Sequence, residues 1–236
     1  MYYGAPPIVT NGLVLALDAG NTKSYVSGST IWNNLANSLL SSSLVNGPTF
    51  NSQNGGSIVF DGVNDYGIIN SVNLSNTDKI TVDIWLRFTT TQTLLIAEHS
   101  TNFNNNNAFL IDINEYSPSG FQFSDKGSQG YNIAYTGGGF ADGKWHNFIT
   151  TVDRSLSGTQ QIQIYADNTL NTIQSPAYQS DITGSFSTFD LYLASRAGST
   201  YFYSGSMASF KLYNRALSRQ EITQNYNATK TRFGLS

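Results

Sequence analysis

The feature that most constrains this chain is a period of two. Short apolar runs alternate with polar residues and are cut by polar turns at intervals of about ten residues, the spacing of an all-β sandwich. The runs lie at 13–17, 57–60, 66–69, 80–88, 94–97, 108–113, 121–123, 131–135, 145–153, 161–167, 190–194 and 205–213. In the run 80–88, Ile80, Val82, Ile84, Leu86 and Phe88 share one face, and Thr81, Asp83, Trp85 and Arg87 share the other. Successive strand side chains point to opposite faces, so one face of this run belongs to a core. The expected architecture is all-β: two stacked antiparallel sheets in a jelly-roll sandwich. Asp61-Gly62, between two of the runs, reads as the turn of a hairpin.

One segment breaks the period. Ser218-Arg-Gln-Glu221 has the form of a capping box, with Leu217 and Ile222 at the hydrophobic-staple positions, and predicts a helix over 219–228. A single short C-terminal helix on an all-β chain serves as a clamp over a sheet. The longest irregular stretches are 36–56, 99–107 and 125–144. Residues 1–12 form an arm ahead of the domain at 13–236. With Tyr2, Tyr3, Pro6 and Pro7 at one end and Phe233 at the other, both ends are expected to meet a partner surface on this chain or a neighbour.

Composition removes whole classes of chemistry. The 236 residues include no Cys and two His, so disulfides, thiol catalysis, Cys-ligated zinc and a His₃ metal site are all excluded. A net charge of −3 argues against a nucleic-acid partner. Charged residues make up 11% of the chain, against ~25% in an average domain, yet aromatics reach 13%, which excludes disorder. No window is apolar enough for a membrane helix, and the N-terminus, without a basic stretch or an apolar run, is not expected to be a signal peptide. The expectation is a soluble protein folded in a cytoplasm.

Several motifs are spaced as in a known family. They are Gly12-Leu-Val-Leu-Ala-Leu-Asp-Ala-Gly-Asn21, Gly56-Ser-Ile-Val-Phe-Asp-Gly62 with Asp65-Tyr66, Lys144-Trp-His146, and Leu212-Tyr-Asn-Arg-Ala-Leu-Ser-Arg-Gln-Glu-Ile222. Together they resemble the concanavalin A-like, laminin-G-type jelly rolls from about residue 12 to 233. The opening LDAGN, the GGSIVFDG strand and the closing QNYNATKTRFGL further resemble single-domain structural proteins of tailed bacteriophages. Within that frame Trp145 is expected to fill the sandwich core, His146 to be a hydrogen-bonded structural histidine, and Asp18, Asp61 and Asp65 to anchor loops or a structural cation.

Glycosidases of this fold are implied to carry a Glu-x-Asp-x-Glu type run. This chain has Glu98, Glu115 and Glu221 alone, and Glu221 belongs to the helix cap. Asp112-Ile-Asn-Glu115 is the nearest candidate. Its spacing on a regular strand places the two carboxyls on opposite faces, too far apart for paired acid chemistry, so no catalytic residue is assigned. Pentraxin-like relatives imply calcium bound between the loops at 100–107 and 195–199, but Arg196 stands where an acid is needed. No metal and no cofactor are therefore expected, although structural calcium would suit the fold.

What remains is a rim of polar and aromatic residues: His99, Asn102, Asn104 to Asn107, Tyr131, Tyr135, Arg196, Tyr201 and Tyr203. Of these, Asn104, Asn106, Tyr131, Arg196, Tyr201 and Tyr203 are the candidate ligand contacts, for a glycan or a protein; solvated turns are the bland alternative. The resemblance implies a non-enzymatic virion protein on a phage particle surface, first a capsid decoration protein and second a tail or fibre component, with weak glycan adhesion as an accessory property. Its partners would be other virion proteins, in a homo-oligomer or lattice. The alternative is a carbohydrate-binding lectin domain for host-surface attachment.

Overall fold

The computed structural model describes residues 6–36, 39–101 and 103–236, with the backbone alone for Pro176. Its strands are β1 (Leu13–Asp18), β2 (Ile31–Trp32), β3 (Ser42–Val45), β4 (Thr49–Asn51), β5 (Ser57–Asp61), β6 (Tyr66–Asn73), β7 (Lys79–Arg87), β8 (Leu94–His99), β9 (Ala108–Ile113), β10 (Phe121–Gly127), β11 (Gly130–Tyr135), β12 (His146–Asp153), β13 (Ile162–Ala166), β14 (Thr169–Leu170), β15 (Ile173–Gln179), β16 (Thr188–Leu193) and β17 (Ser204–Tyr213). A helix α1 (Arg219–Thr229) follows. The first sheet runs β14-β13-β12-β7-β17-β5-β4, with β1 also on β17; the second runs β15-β11-β10-β9-β8-β16-β6-β3-β2. Every pairing is antiparallel, as the alternation required.

The core lies between the sheets. Ile80, Val82, Ile84, Leu86 and Phe88 all join it, and Phe121 of the second sheet stacks on Phe148 of the first with ring centroids 4.4 Å apart. Asp125 points into the same layer from β10 and meets Arg154, just past β12, through two hydrogen bonds of 3.0 and 2.6 Å. Both side chains are fully buried. The guanidinium also donates to the Gly184 carbonyl and lies 3.6 Å from the centre of the Phe186 ring.

The outer face of the first sheet is covered by the chain ends. Ser218 caps α1 in the expected box with Glu221, and Leu217 and Ile222 pack with Val9, Ile149 and Tyr213. Asn225, buried beneath the helix, accepts from the Val9 amide and donates to Asp83 and the Tyr213 hydroxyl. The period-two reading of β7 thus holds on both faces, because Asp83 and Trp85 meet the helix rather than water.

The structure departs from several expectations. Trp145 does not fill the inter-sheet core; it lies on the outer face with Trp85, Ala208 and Phe233. Of the two surfaces open to Phe233, this chain or a neighbour, it takes its own chain, stacking on Trp85 at 4.0 Å with 9% of its area exposed. At the other end Tyr2 and Tyr3 lie outside the described residues. Pro6 and Pro7 are exposed, though Gln224 donates to the Pro7 carbonyl and Val9 is buried against this chain's own helix. The 57–60 and 66–69 runs are not a hairpin. Asp61 accepts from the Val63 and Asn64 amides, turning the chain so that β5 enters the first sheet and β6 the second. The irregular stretch 36–56 contains β3 and β4.

Candidate functional site

The outer face of the second sheet carries a groove of about 300 Å³. Alternation builds its floor. Phe109, Ile111, Phe121 and Phe123 face the core, so Leu110 and Asp112 of β9, with Gln122 and Ser124 of β10, face outward into the groove. Leu95, Tyr131 and Ile133 extend this floor on the neighbouring strands. The walls are rings. Tyr116 packs against Tyr135 at 5.7 Å and edge-on to Tyr178 at 6.3 Å; Tyr178 meets Tyr131 at 6.0 Å, and Tyr131 meets Phe103 at 5.7 Å. Opposite them the Arg196 guanidinium lies 4.8 Å over the Tyr201 ring.

The structure therefore gathers Tyr131, Arg196 and Tyr201 into one site. It separates the other candidates from it. Asn104 and Asn106 are exposed on the β8–β9 loop and do not line the groove, and Asn102 lies outside the described residues. Tyr203 is fully buried in the inter-sheet core, where its hydroxyl donates to the Arg87 carbonyl at 3.2 Å, so it cannot reach a ligand. Gly205 makes this burial feasible, because a Cβ there would lie 2.5 Å from the Tyr203 hydroxyl oxygen. His99 is likewise buried; its Nε2 lies 2.9 Å from the Val72 carbonyl, and burial pulls its pKa down to about 4.

On a regular strand the spacing of Asp112 and Glu115 would put them on opposite faces. That is corrected by Asn114, which follows β9 with φ +67 and turns the chain so that both acids line the groove. Asn114 holds this turn by accepting from the Ser119 amide and donating to the Gln92 carbonyl. Asp112 is 2% exposed and sits directly across from Gln122, whose Nε2 donates to Asp112 Oδ2 at 3.0 Å. The remaining oxygens, Asp112 Oδ1 and Gln122 Oε1, are buried with no partner among the described residues. Burial, and then the charge of Glu115, push the Asp112 carboxyl well above the usual carboxylate range against the opposing pull of Arg196 and Gln122. A protonated acid facing a carboxamide matches donors to acceptors and leaves no buried charge.

The sign of the pH effect follows. A carboxyl whose folded pKa is raised contributes fully in acid, and that contribution is lost as pH rises from the unfolded value of ~3.9 through the folded value. Asp112→Asn carries the donor permanently. It is expected to fold like the wild type, to be no more stable at pH 4, and to be more stable at pH 8. Urea unfolding at the two pH values tests this, and a variant no more stable than wild type at pH 8 would remove Asp112 as the responsible group.

Beneath the Arg196 side, Glu98 is fully buried, accepts from Ser100 at 2.5 Å, and lies 3.4 Å from Arg196 Nε. Burial raises its pKa, while Ser100 and Arg196 oppose that shift. Among the described residues no group of three or more His, Asp or Glu side chains is placed to hold a metal ion. His146, away from this site, lies between Asp167 at 2.7 Å and Asp142 at 3.1 Å; burial opposes its protonation, and the two acids outweigh burial and raise its pKa.

The motifs that resembled phage proteins have a local explanation. Arg232, from the closing motif, donates to Asp18 at 2.6 Å, to the Asn54 carbonyl at 2.6 Å, and to the Gly56 carbonyl. The opening, strand and closing motifs thus clasp one another.

Residues 61–223 match the sequence profile of the Concanavalin A-like lectin/glucanases superfamily in its laminin-G form. No curated protein sequence matches the chain. Among solved structures, the fold is similar to the receptor-binding domain of the botulinum neurotoxin C/D mosaic serotype, with TM-score 0.69, 11% identity, and coverage of 92% of this chain and 51% of that one. It is also similar to the serotype D ligand-binding domain in complex with N-acetylneuraminic acid, with TM-score 0.64, 11% identity, and coverage of 92% and 51%. A third neighbour is the Trypanosoma rangeli sialidase, with TM-score 0.64, 12% identity, and coverage of 94% and 33%. The chain spans about half the length of the neurotoxin domains, and at such identity the likeness is one of fold. Profile and topology agree: this chain belongs to the Concanavalin A-like lectin/glucanases superfamily.

Proposed function

We propose that the chain is a carbohydrate-binding domain that holds a saccharide in the groove on its second sheet and does not hydrolyse it. The observation that carries this reading is the groove's make-up: the rings of Tyr116, Tyr131, Tyr178 and Tyr201 stand around a floor of Asp112, Gln122 and Ser124. Ring faces take the apolar side of a sugar, and a few convergent polar groups fix its hydroxyls. The N-acetylneuraminic acid bound by the serotype D neighbour is consistent with saccharide recognition on a related scaffold. Hydrolysis is disfavoured because Asp112 is 2% exposed with its Oδ2 taken by Gln122, which leaves Glu115 as the one exposed carboxyl among the lining residues where paired acid chemistry needs two. Display on a virion surface has no such support, since neither the family match nor the neighbours named above point to a virion.

The test is a glycan array followed by titration of the best oligosaccharide against wild type and a Tyr131→Ala, Tyr178→Ala double variant. The expected result is saturable binding, at least about tenfold weaker in the variant, a loss of about 1.4 kcal/mol, with no release of reducing ends. Silence across the array, or full affinity in the double variant, would overturn the reading.

A further inference from the structure

We propose that the saccharide of this groove is uncharged, and that the groove discriminates against sugars bearing a carboxylate or sulfate. This rests on the carbohydrate-binding reading above and specifies its ligand class. Three carboxyl groups border the site: Asp112 in the floor, Glu115 exposed at its edge, and Glu98 buried beneath Arg196. Arg196 is the one cation among the lining residues, and its Nε already faces Glu98. A further cation, Lys126, donates to the Phe103 carbonyl at 2.9 Å and lies over the Phe103 and Tyr131 rings.

An incoming carboxylate would have to share Arg196 with Glu98, the buried acid that its Nε already faces at 3.4 Å. Two carboxylates on one guanidinium carry a net negative charge, which raises the cost of keeping Glu98 ionised at zero exposure. The same ligand charge would lie beside Glu115, which already disfavours ionisation of Asp112. Burial raises the pKa of both Asp112 and Glu98, and the charge of Glu115 adds to the rise at Asp112, so the site resists negative charge even on its own side chains. A neutral sugar meets none of these penalties. Its hydroxyls can donate to the Glu115 carboxylate and to tyrosine oxygens, and can accept from the Arg196 guanidinium. The groove thus differs in ligand charge from the serotype D neighbour with its N-acetylneuraminic acid.

The experiment uses the full chain on an array that pairs neutral oligosaccharides with sialylated and uronate-containing versions of the same cores. Wild type is expected to bind neutral members at least about tenfold more tightly than their acidic counterparts, and Glu115→Lys is expected to raise the acidic-to-neutral ratio several-fold. Equal or stronger binding of acidic members would overturn the charge assignment while leaving carbohydrate binding intact. An unchanged ratio in Glu115→Lys, with that variant folded by circular dichroism, would also overturn it. Silence on every glycan would overturn the carbohydrate reading itself.

Discussion

Replacing Arg154 with leucine is expected to destabilise the fold by about 3–5 kcal/mol, the range for removing one partner of a buried ion pair. Asp125 would keep a carboxyl group at zero exposure with neither of its two guanidinium bonds, the Gly184 carbonyl would lose its donor, and the Phe186 ring its cation. Burial already raises the Asp125 pKa against the pull of Arg154, so without Arg154 that carboxyl would take up a proton on folding. The deficit should therefore be larger at pH 7 than at pH 4, because the folded pKa would rise further above the unfolded one. Adding Asp125→Leu should restore much of the loss, since a buried pair replaced by apolar side chains is often neutral. Urea unfolding of the single and double variants measures both effects; a single-variant loss under about 1 kcal/mol would show that the pair is not as closed to water as its geometry implies.

The second large effect is expected at the C-terminal end. Phe233→Ala should cost about 3 kcal/mol, near the low end for deleting a packed aromatic ring. Its ring stacks on Trp85 at 4.0 Å and lies 5.0 Å from Trp145, whose indole N–H donates to Asn54. Removing the ring exposes both indoles, so intrinsic tryptophan fluorescence should shift red in the native state together with the fall in stability. A residue docking on a second molecule would give the opposite pattern: unchanged monomer stability and loss of association. Sedimentation alongside the melt separates the two.

The fold was legible where local chemistry and tertiary context agree. The alternation of 80–88 marked a strand with its apolar face in the core, though not the burial of its other face under α1, and Ser218 to Glu221 marked the start of α1, because capping depends on neighbours in sequence. Connectivity was not legible at Asp61-Gly62, since the same turn residues serve a hairpin and a crossing between sheets. β15 was hidden by Pro176, which argues against a central strand; the strand is tolerated because it is the sheet edge and its pairing with β11 is irregular. With β15 went Tyr178, and with the positive φ of Asn114 went the joint placement of Asp112 and Glu115. Half of the site was therefore invisible for topological reasons. The recoverable signal was the outward pattern Leu110, Asp112, Gln122 and Ser124, polar groups on strands whose other face is aromatic. Tyr203 misled for the converse reason: a tyrosine next to a loop looks like a rim residue, and only packing shows that its hydroxyl is satisfied inside.

The location of Val9 and Phe233 has a practical consequence. Both lie on the outer face of the first sheet, and the groove opens on the outer face of the second. Tethering the protein to a bead, sensor chip or polymer near either of these points would turn the groove toward the bulk phase, so an immobilised surface should present most copies in a receptive orientation without any engineered linker. Coupling through a lysine beside the groove, such as Lys126, should do the reverse and mask the site against the support.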